Sequence, residues 1–205
     1  TLSVTQLLTQ AQQLKVDALV LTDINNTSGC LEFIRESKKY GVRPIIGIDF
    51  RTGSKQHYIG IAKNNEGFLE LNQHLSAYLS EQLAFSTQAP MFYNSYVIYP
   101  YGSMHPKQLR EHEYIGVKIH ELNKLIFSEC RSHLHKLVVL HPVTFLNKKD
   151  FNAHRLLRAI DNNTLLSKLP VSEQTNENEL FYEEVKLLQL YEDYPQLVIN
   201  TRRIT

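Results

Sequence analysis

The chain has 205 residues, enough for one sizeable core, and its 42% apolar and 21% charged content is that of an ordinary globular protein. A formal net charge of +1 supplies no overall electrostatic drive toward nucleic acid. The longest apolar runs, such as Leu137 to Leu140, fall far short of a membrane span, and no segment of the secretory kind opens the sequence.

The first residues, "TLSVTQ", lack an initiator Met, which points to a fragment of something longer. Ser3 is placed to cap a helix with Gln6 reaching back, and Val4, Leu7, Leu8, Ala11 and Leu14 then recur on one face. "VDALVLTD" reads as a buried strand. Thr27 or Ser28 is expected to cap a second helix carrying Leu31, Phe33 and Ile34 inward, with Gly41 closing it. "VRPIIGIDF" and "HYIGIAK" follow as strands. Apolar strands joined by helices predict parallel pairing. "NNEGFLELNQHLSAYL" predicts a capped helix with Phe68, Leu71 and Leu75 on one stripe. "SYVIYP", "YIGVK" and "KLVVLHP" are further strands, with a helix over "HELNKLIF" between the last two. Helices are predicted over 149–159 and 178–191, with a polar loop over 170–179. Six strand signals alternating with helices predict a distorted or incomplete (β/α) barrel.

In such a barrel, active sites collect at the C-terminal strand ends. Asp23 closes one strand there and Asp49 another, and two carboxylates can hold a divalent cation or share a proton. The competing reading is that each caps the turn after its strand. His133 and His135 form an H-x-H pair, but they precede a strand and so belong at the opposite end. His57 opens a strand and His141 ends one, whereas His74, His105, His112, His120 and His154 are expected at the surface. The pairs Phe92–Tyr93 and Phe181–Tyr182 read as core or rim rather than base-stacking platforms. Cys30 and Cys130 fit neither a disulfide framework nor a zinc motif; each is expected to be small, buried and reduced, in a cytoplasmic setting. No Gly-rich phosphate loop, G-x-S-x-G elbow or H-E-x-x-H occurs.

Several stretches read together. "SVTQLLTQAQQLKVDALVLTDINNTSGCLEFIRESKKYGVRPIIGID", "HYIGIAKNNEGFLELNQHLS", "KLVVLHPVTFLNKKDFNAHRLLRAIDNNTLL" and "FYEEVKLLQLYEDYPQLVINTRRI" resemble successive blocks of the PHP (polymerase and histidinol phosphatase) domain of bacterial DNA polymerase III alpha subunits. The likeness is weakest from Ser80 to Ser132. The resemblance implies an α/β fold: a distorted, TIM-like (β/α)7 barrel over residues 1–169, its first strand missing. A linker and helical segment over 170–205 would lead toward a polymerase core. In active members, rim histidines and carboxylates bind several metal ions and support phosphoester hydrolysis, including proofreading of DNA ends.

Asp23 matches the aspartate of the family's T-D-H motif, Asp49 the glutamate after "PIIG", and His57 the histidine opening the next strand. Ile24 stands where T-D-H has its histidine, and Pro142 and Thr144 stand at the aspartate and histidine of a late D-x-H motif. The family's H-x-H pair would precede Thr1. Losing ligands from a cluster leaves the remaining carboxylates to repel one another. The resemblance therefore implies a degenerate site in a scaffold and docking domain, with Asp23, Asp49 and His57 as vestiges and no cofactor, or at most a residual zinc or manganese ion. Asn25 and Asn26 are expected to serve the turn after Asp23. The implied partners are the rest of a polymerase alpha chain (the nucleotidyltransferase part of DNA replication), a proofreading exonuclease subunit, and DNA through the whole protein; no membrane is implied. The alternative is an active metal-dependent PHP phosphoesterase or 3'–5' exonuclease.

Overall fold

The computed structural model describes residues 2–81 and 84–205. Helix α1 (Val4–Gln13) starts as expected. The Gln6 amide donates to Ser3 Oγ at 3.2 Å, and the Ser3 amide donates to Gln6 Oε1 at 3.0 Å. Strand β1 (Ala18–Ile24) follows, then α2 (Cys30–Tyr40), closed by Gly41 at φ 68°. The start and inward face of α2 differ from expectation. The Thr27 hydroxyl is turned to Asn72 Oδ1 at 3.0 Å, so Gly29 takes the cap position. Cys30, Phe33 and Ser37 then face inward, which leaves Leu31 75% and Ile34 36% exposed.

Strands β2 (Arg43–Thr52) and β3 (Lys55–Ala62) correct the all-parallel expectation, because they form an antiparallel hairpin. Thr52 pairs with Lys55, so Gly53 and Ser54 alone make the turn, with Gly53 at φ 59°. A two-residue loop with glycine first matches the twist of antiparallel strands and is the usual short hairpin link. Helix α3 (Asn65–Glu81) is capped by Asn64, whose Oδ1 accepts from the Gly67 amide at 2.9 Å. It leads to β4 (Ser95–Pro100), antiparallel to β3, then β5 (Glu113–Val117) and β6 (Leu137–Val139), both parallel to their neighbours. The sheet runs in simple chain order from β1 to β6 and curls into a half-barrel. Val20 of β1 and Val138 of β6, from opposite edges, share one interior cluster with Ile59, Ile61 and Ile98.

Three outer clusters cover the other face. Leu8, Ala11, Cys30 and Phe33 pack under α1 and α2; Ile48, Phe50, Tyr58 and Val97 pack under α3; Ile115, Val117 and Leu137 pack near the C-terminus. Cys30 and Cys130 are free and buried, as expected. The helix expected over "HELNKLIF" is only a single turn, α4 (Leu122–Leu125). The C-terminal part contains α5 (Lys148–Asp161), α6 (Glu184–Leu190) and α7 (Pro195–Ile204). The helix expected over 178–191 contracts to α6 because Leu180 forms a parallel bridge with Phe145 instead. Helix α7 covers the free edge of β6: Thr201 Oγ1 accepts from the Val139 amide at 2.8 Å, and Asn200 Nδ2 donates to the Leu137 carbonyl at 2.7 Å. Its Ile204 enters the interior cluster. Ile204 and Thr201 of α7, and Phe181 before α6, thus contact strands that precede residue 169.

Helix α5 turns a mixed face inward, with Phe151 against Phe145 and Ala159 2% exposed. Its Arg155 donates to Gln174 Oε1 at 2.8 Å and Arg158 pairs with Glu173, while Leu156, Leu157 and Ile160 are 51%, 57% and 66% exposed. No helix among the described residues is long and apolar enough to cross a membrane.

Gly67 shows why a "NNEG" start suits α3. A Cβ built there would lie 1.9 Å from the Asn94 carbonyl oxygen, on backbone that cannot rotate away. Gly67→Ala is expected to destabilise the fold by about 1–3 kcal/mol, the usual scale of overpacking. A urea midpoint shift on the purified chain measures it.

Candidate functional site

Parallel strands β1 and β2 bring their C-terminal ends to one rim, and the reversed β3 brings its N-terminal end there. That reversal places Gln56 and His57 beside Asp49. Register then sorts the side chains. Ile24 pairs with Asp49 and Asp23 pairs with Ile48, so the two carboxylates project from opposite faces of the sheet. Asp49 shares its face with Ile24 and Ile59. Asp23 lies on the outer face beside the first turn of α2, its Oδ2 3.1 Å from where a Cβ on Gly29 would stand. Burial raises the Asp23 carboxyl above its ordinary pKa; burial first, then Asp23, pushes the Cys30 thiol up to about 11.

Asp49 is 5% exposed and its two oxygens fare differently. Oδ2 accepts from Arg51 Nη2 at 2.6 Å, Arg51 Nε at 3.0 Å and Gln56 Nε2 at 2.9 Å. Oδ1 is buried without a partner. Arg51 reaches Asp49 because residues two apart on a strand share a face. A bulge between Phe50 and Arg51 pairs Arg51 with Gln56 and leaves His57 unpaired. His57 is 6% exposed; its Nε2 lies 2.9 Å from Thr52 Oγ1, and its Nδ1 is buried with no partner. Burial, and secondarily Lys55, lowers its pKa.

The turn after β1 uses both asparagines, as the sequence suggests. Asn25, at φ 46°, donates from Nδ2 to the Arg51 carbonyl at 2.8 Å and accepts from the Arg51 amide at 2.9 Å. Its side chain thus prolongs the β1–β2 ladder by one rung. Asn26 Oδ1 accepts from the Ser28 amide at 2.7 Å.

Across the rim, Thr144 donates from Oγ1 to Glu179 Oε2 at 2.6 Å, and Lys118 lies 3.7 Å from Glu179 Oε1. His141 donates from Nε2 to the Leu180 carbonyl at 2.8 Å and stacks on Tyr182 with centroids 4.9 Å apart. The sequence alone does not single out Arg51, Gln56, Lys118 and Glu179. The Asp-x-Arg spacing on a strand was the one local signal; the others depend on pairing between distant segments.

Several histidines expected at the surface are packed instead. His74 lies among the rings of Phe50, Tyr78, Phe85 and Phe92, with its Nε2 2.7 Å from the Tyr58 hydroxyl. His154 packs edge-on to Phe145 and reaches Thr175 Oγ1 at 3.1 Å. His112 is half-buried against Tyr96. Phe181 joins the cluster under α1 and α2, and Phe92 the one under α3, whereas Tyr93 is 71% exposed.

The PHP domain model matches residues 1–113, and the chain belongs to that family. It is similar to the DNA polymerase III subunit alpha of Buchnera aphidicola subsp. Schizaphis graminum, 22% identical over 97% of this chain and 21% of the relative. The subunit of the same name from Escherichia coli K12 is 22% identical over 97% of this chain and 20% of the relative. That of Ureaplasma parvum serovar 3 is 38% identical over 35% of this chain and 7% of the relative. The chain therefore spans at most about a fifth of the length of the curated relatives it matches.

Burial lowers the pKa of His57, His74, His141 and His154 from the ordinary value of 6.5. Below that pH an unfolded chain takes up protons that the folded chain refuses, so stability falls as pH falls. Urea midpoints are expected to drop between pH 7.5 and pH 5.5, and His74→Gln is expected to reduce that slope.

Proposed function

We propose that this chain is the PHP part of a DNA polymerase III alpha subunit acting in replication. In this reading it is a scaffold and docking domain whose phosphoesterase site is degenerate. The observation that carries the reading is the state of Asp49. One of its two oxygens, Oδ2, is already held by the Arg51 guanidinium and Gln56, and Ile24 stands at the neighbouring position on the same face. Asp23 projects from the other face, Pro142 offers no side-chain donor, and the Thr144 hydroxyl is committed to Glu179. A polynuclear cluster does not fit these residues. Asp49 Oδ1 and His57 Nδ1, both buried and unpartnered, are the atoms a single residual zinc or manganese ion would use.

Docking is supported by α5, whose outward face carries Leu156, Leu157 and Ile160, 51%, 57% and 66% exposed. A contiguous exposed apolar patch marks a binding surface more often than scattered residues do. The partners proposed for it are the rest of the polymerase alpha chain and a proofreading exonuclease subunit.

Metal analysis and a nuclease assay with added manganese or zinc test the degenerate site. The expected result is no hydrolysis and less than one bound ion per chain. Stoichiometric metal together with hydrolysis lost in Asp49→Ala would overturn the reading in favour of an active phosphoesterase.

Docking is tested separately. Leu157→Lys is expected to change stability by less than about 0.5 kcal/mol, as surface substitutions do. The same variant should lose co-purification with the remainder of an alpha chain supplied as a second polypeptide; full retention would remove α5 from the interface.

A further inference from the structure

The curled sheet stops short of closure, because β1 and β6 are its two ends and do not pair with each other. One short segment holds both sides of that opening. On the β6 side, the Glu179 carbonyl accepts from the Thr144 amide at 2.9 Å and the Phe145 amide at 3.1 Å. The Glu179 carboxylate accepts from the Thr144 hydroxyl and faces Lys118, just past the end of β5. Leu180 bridges Phe145, and its carbonyl takes the His141 ring N–H. One residue later the chain has changed sides: Phe181 packs into the cluster under α1 and α2, which contains Leu19 and Leu21 of β1. Tyr182 then returns to stack on His141, with Lys186 Nζ 4.0 Å from its ring centre.

We infer that residues 176–182 are a strap that ties the two open ends of the half-barrel together across the rim, with Glu179 as its clasp and Phe181 as its far anchor. His141, the Thr144 hydroxyl and the amides of Thr144 and Phe145 all hydrogen-bond to two strap residues, and Lys118 pairs with the Glu179 carboxylate. A ligand reaching these groups must displace the strap, and displacing it frees Phe181 from the cluster beside β1. The rim and the β1 side therefore open as one unit. This inference rests on packing and is independent of whether the rim binds metal.

Hydrogen exchange on the whole chain tests it. Phe181→Ala removes the strap's packing on the cluster under α1 and α2, yet exchange at the Thr144 and Phe145 amides is expected to rise at least tenfold. A disulfide formed in Phe145→Cys/Leu180→Cys is expected to suppress that rise. Unchanged exchange at both amides in folded Phe181→Ala overturns the strap. If Phe181→Ala does not fold, Glu179→Ala probes the same coupling from the other end. Chymotryptic cleavage after Phe181 and Tyr182 is then expected to rise about tenfold, and wild-type cleavage overturns the proposal.

Discussion

The hairpin turn at Gly53–Ser54 sets the direction of β3, and the composition of the rim follows from that direction. Gly53 adopts φ 59°, a conformation most residues resist, so two residues suffice to reverse the chain. With β3 reversed, its first residues meet the last residues of β2. Gln56 therefore reaches Asp49, and the bulge beside Arg51 turns His57 toward Thr52. A helical crossover into a parallel β3 would have carried Gln56 and His57 to the opposite end of the sheet.

The second constraint is electrostatic. A buried carboxylate is costly unless its charge is met, and here a guanidinium from the same strand meets it. Arg51 bonds one oxygen through two nitrogens while Gln56 adds a neutral donor. Such an arrangement supplies the compensating charge from within the chain. The orphaned Oδ1 and His57 Nδ1 are the two described side-chain atoms for which burial goes uncompensated, and both belong to this corner of the rim.

The C-terminal helices solve a different problem. A sheet that does not close leaves edges, and an unpaired edge attracts other strands. Thr201 and Asn200 of α7 satisfy β6 directly, while the extended residues before α6 cross to the β1 side. Helix α5 contributes little to this closure. Its arginines bond to the loop after it beside Phe151 and Ala159, while its leucines face outward.

The helices α1 and α3, the strand cores and the turn chemistry of Asn25 and Asn26 were legible in the sequence, because capping, periodicity and side-chain turns act over a few residues. The apolar runs located all six strands. Their directions were not legible from the general alternation of strand and helix, although the Gly53–Ser54 pair carried a local signal. Residue types at 23, 24 and 49 suggested a rim, but only strand register decided that Asp49 lies beside Ile24 and that Asp23 faces away. The packing of His74 among aromatic rings, the cover α7 gives β6 and the crossing of residues 179–182 all join segments distant in sequence. Local propensity has no term for such contacts. The sequence by itself determined which segments would become strands and helices; tertiary pairing, by fixing direction and register, decided which side chains meet.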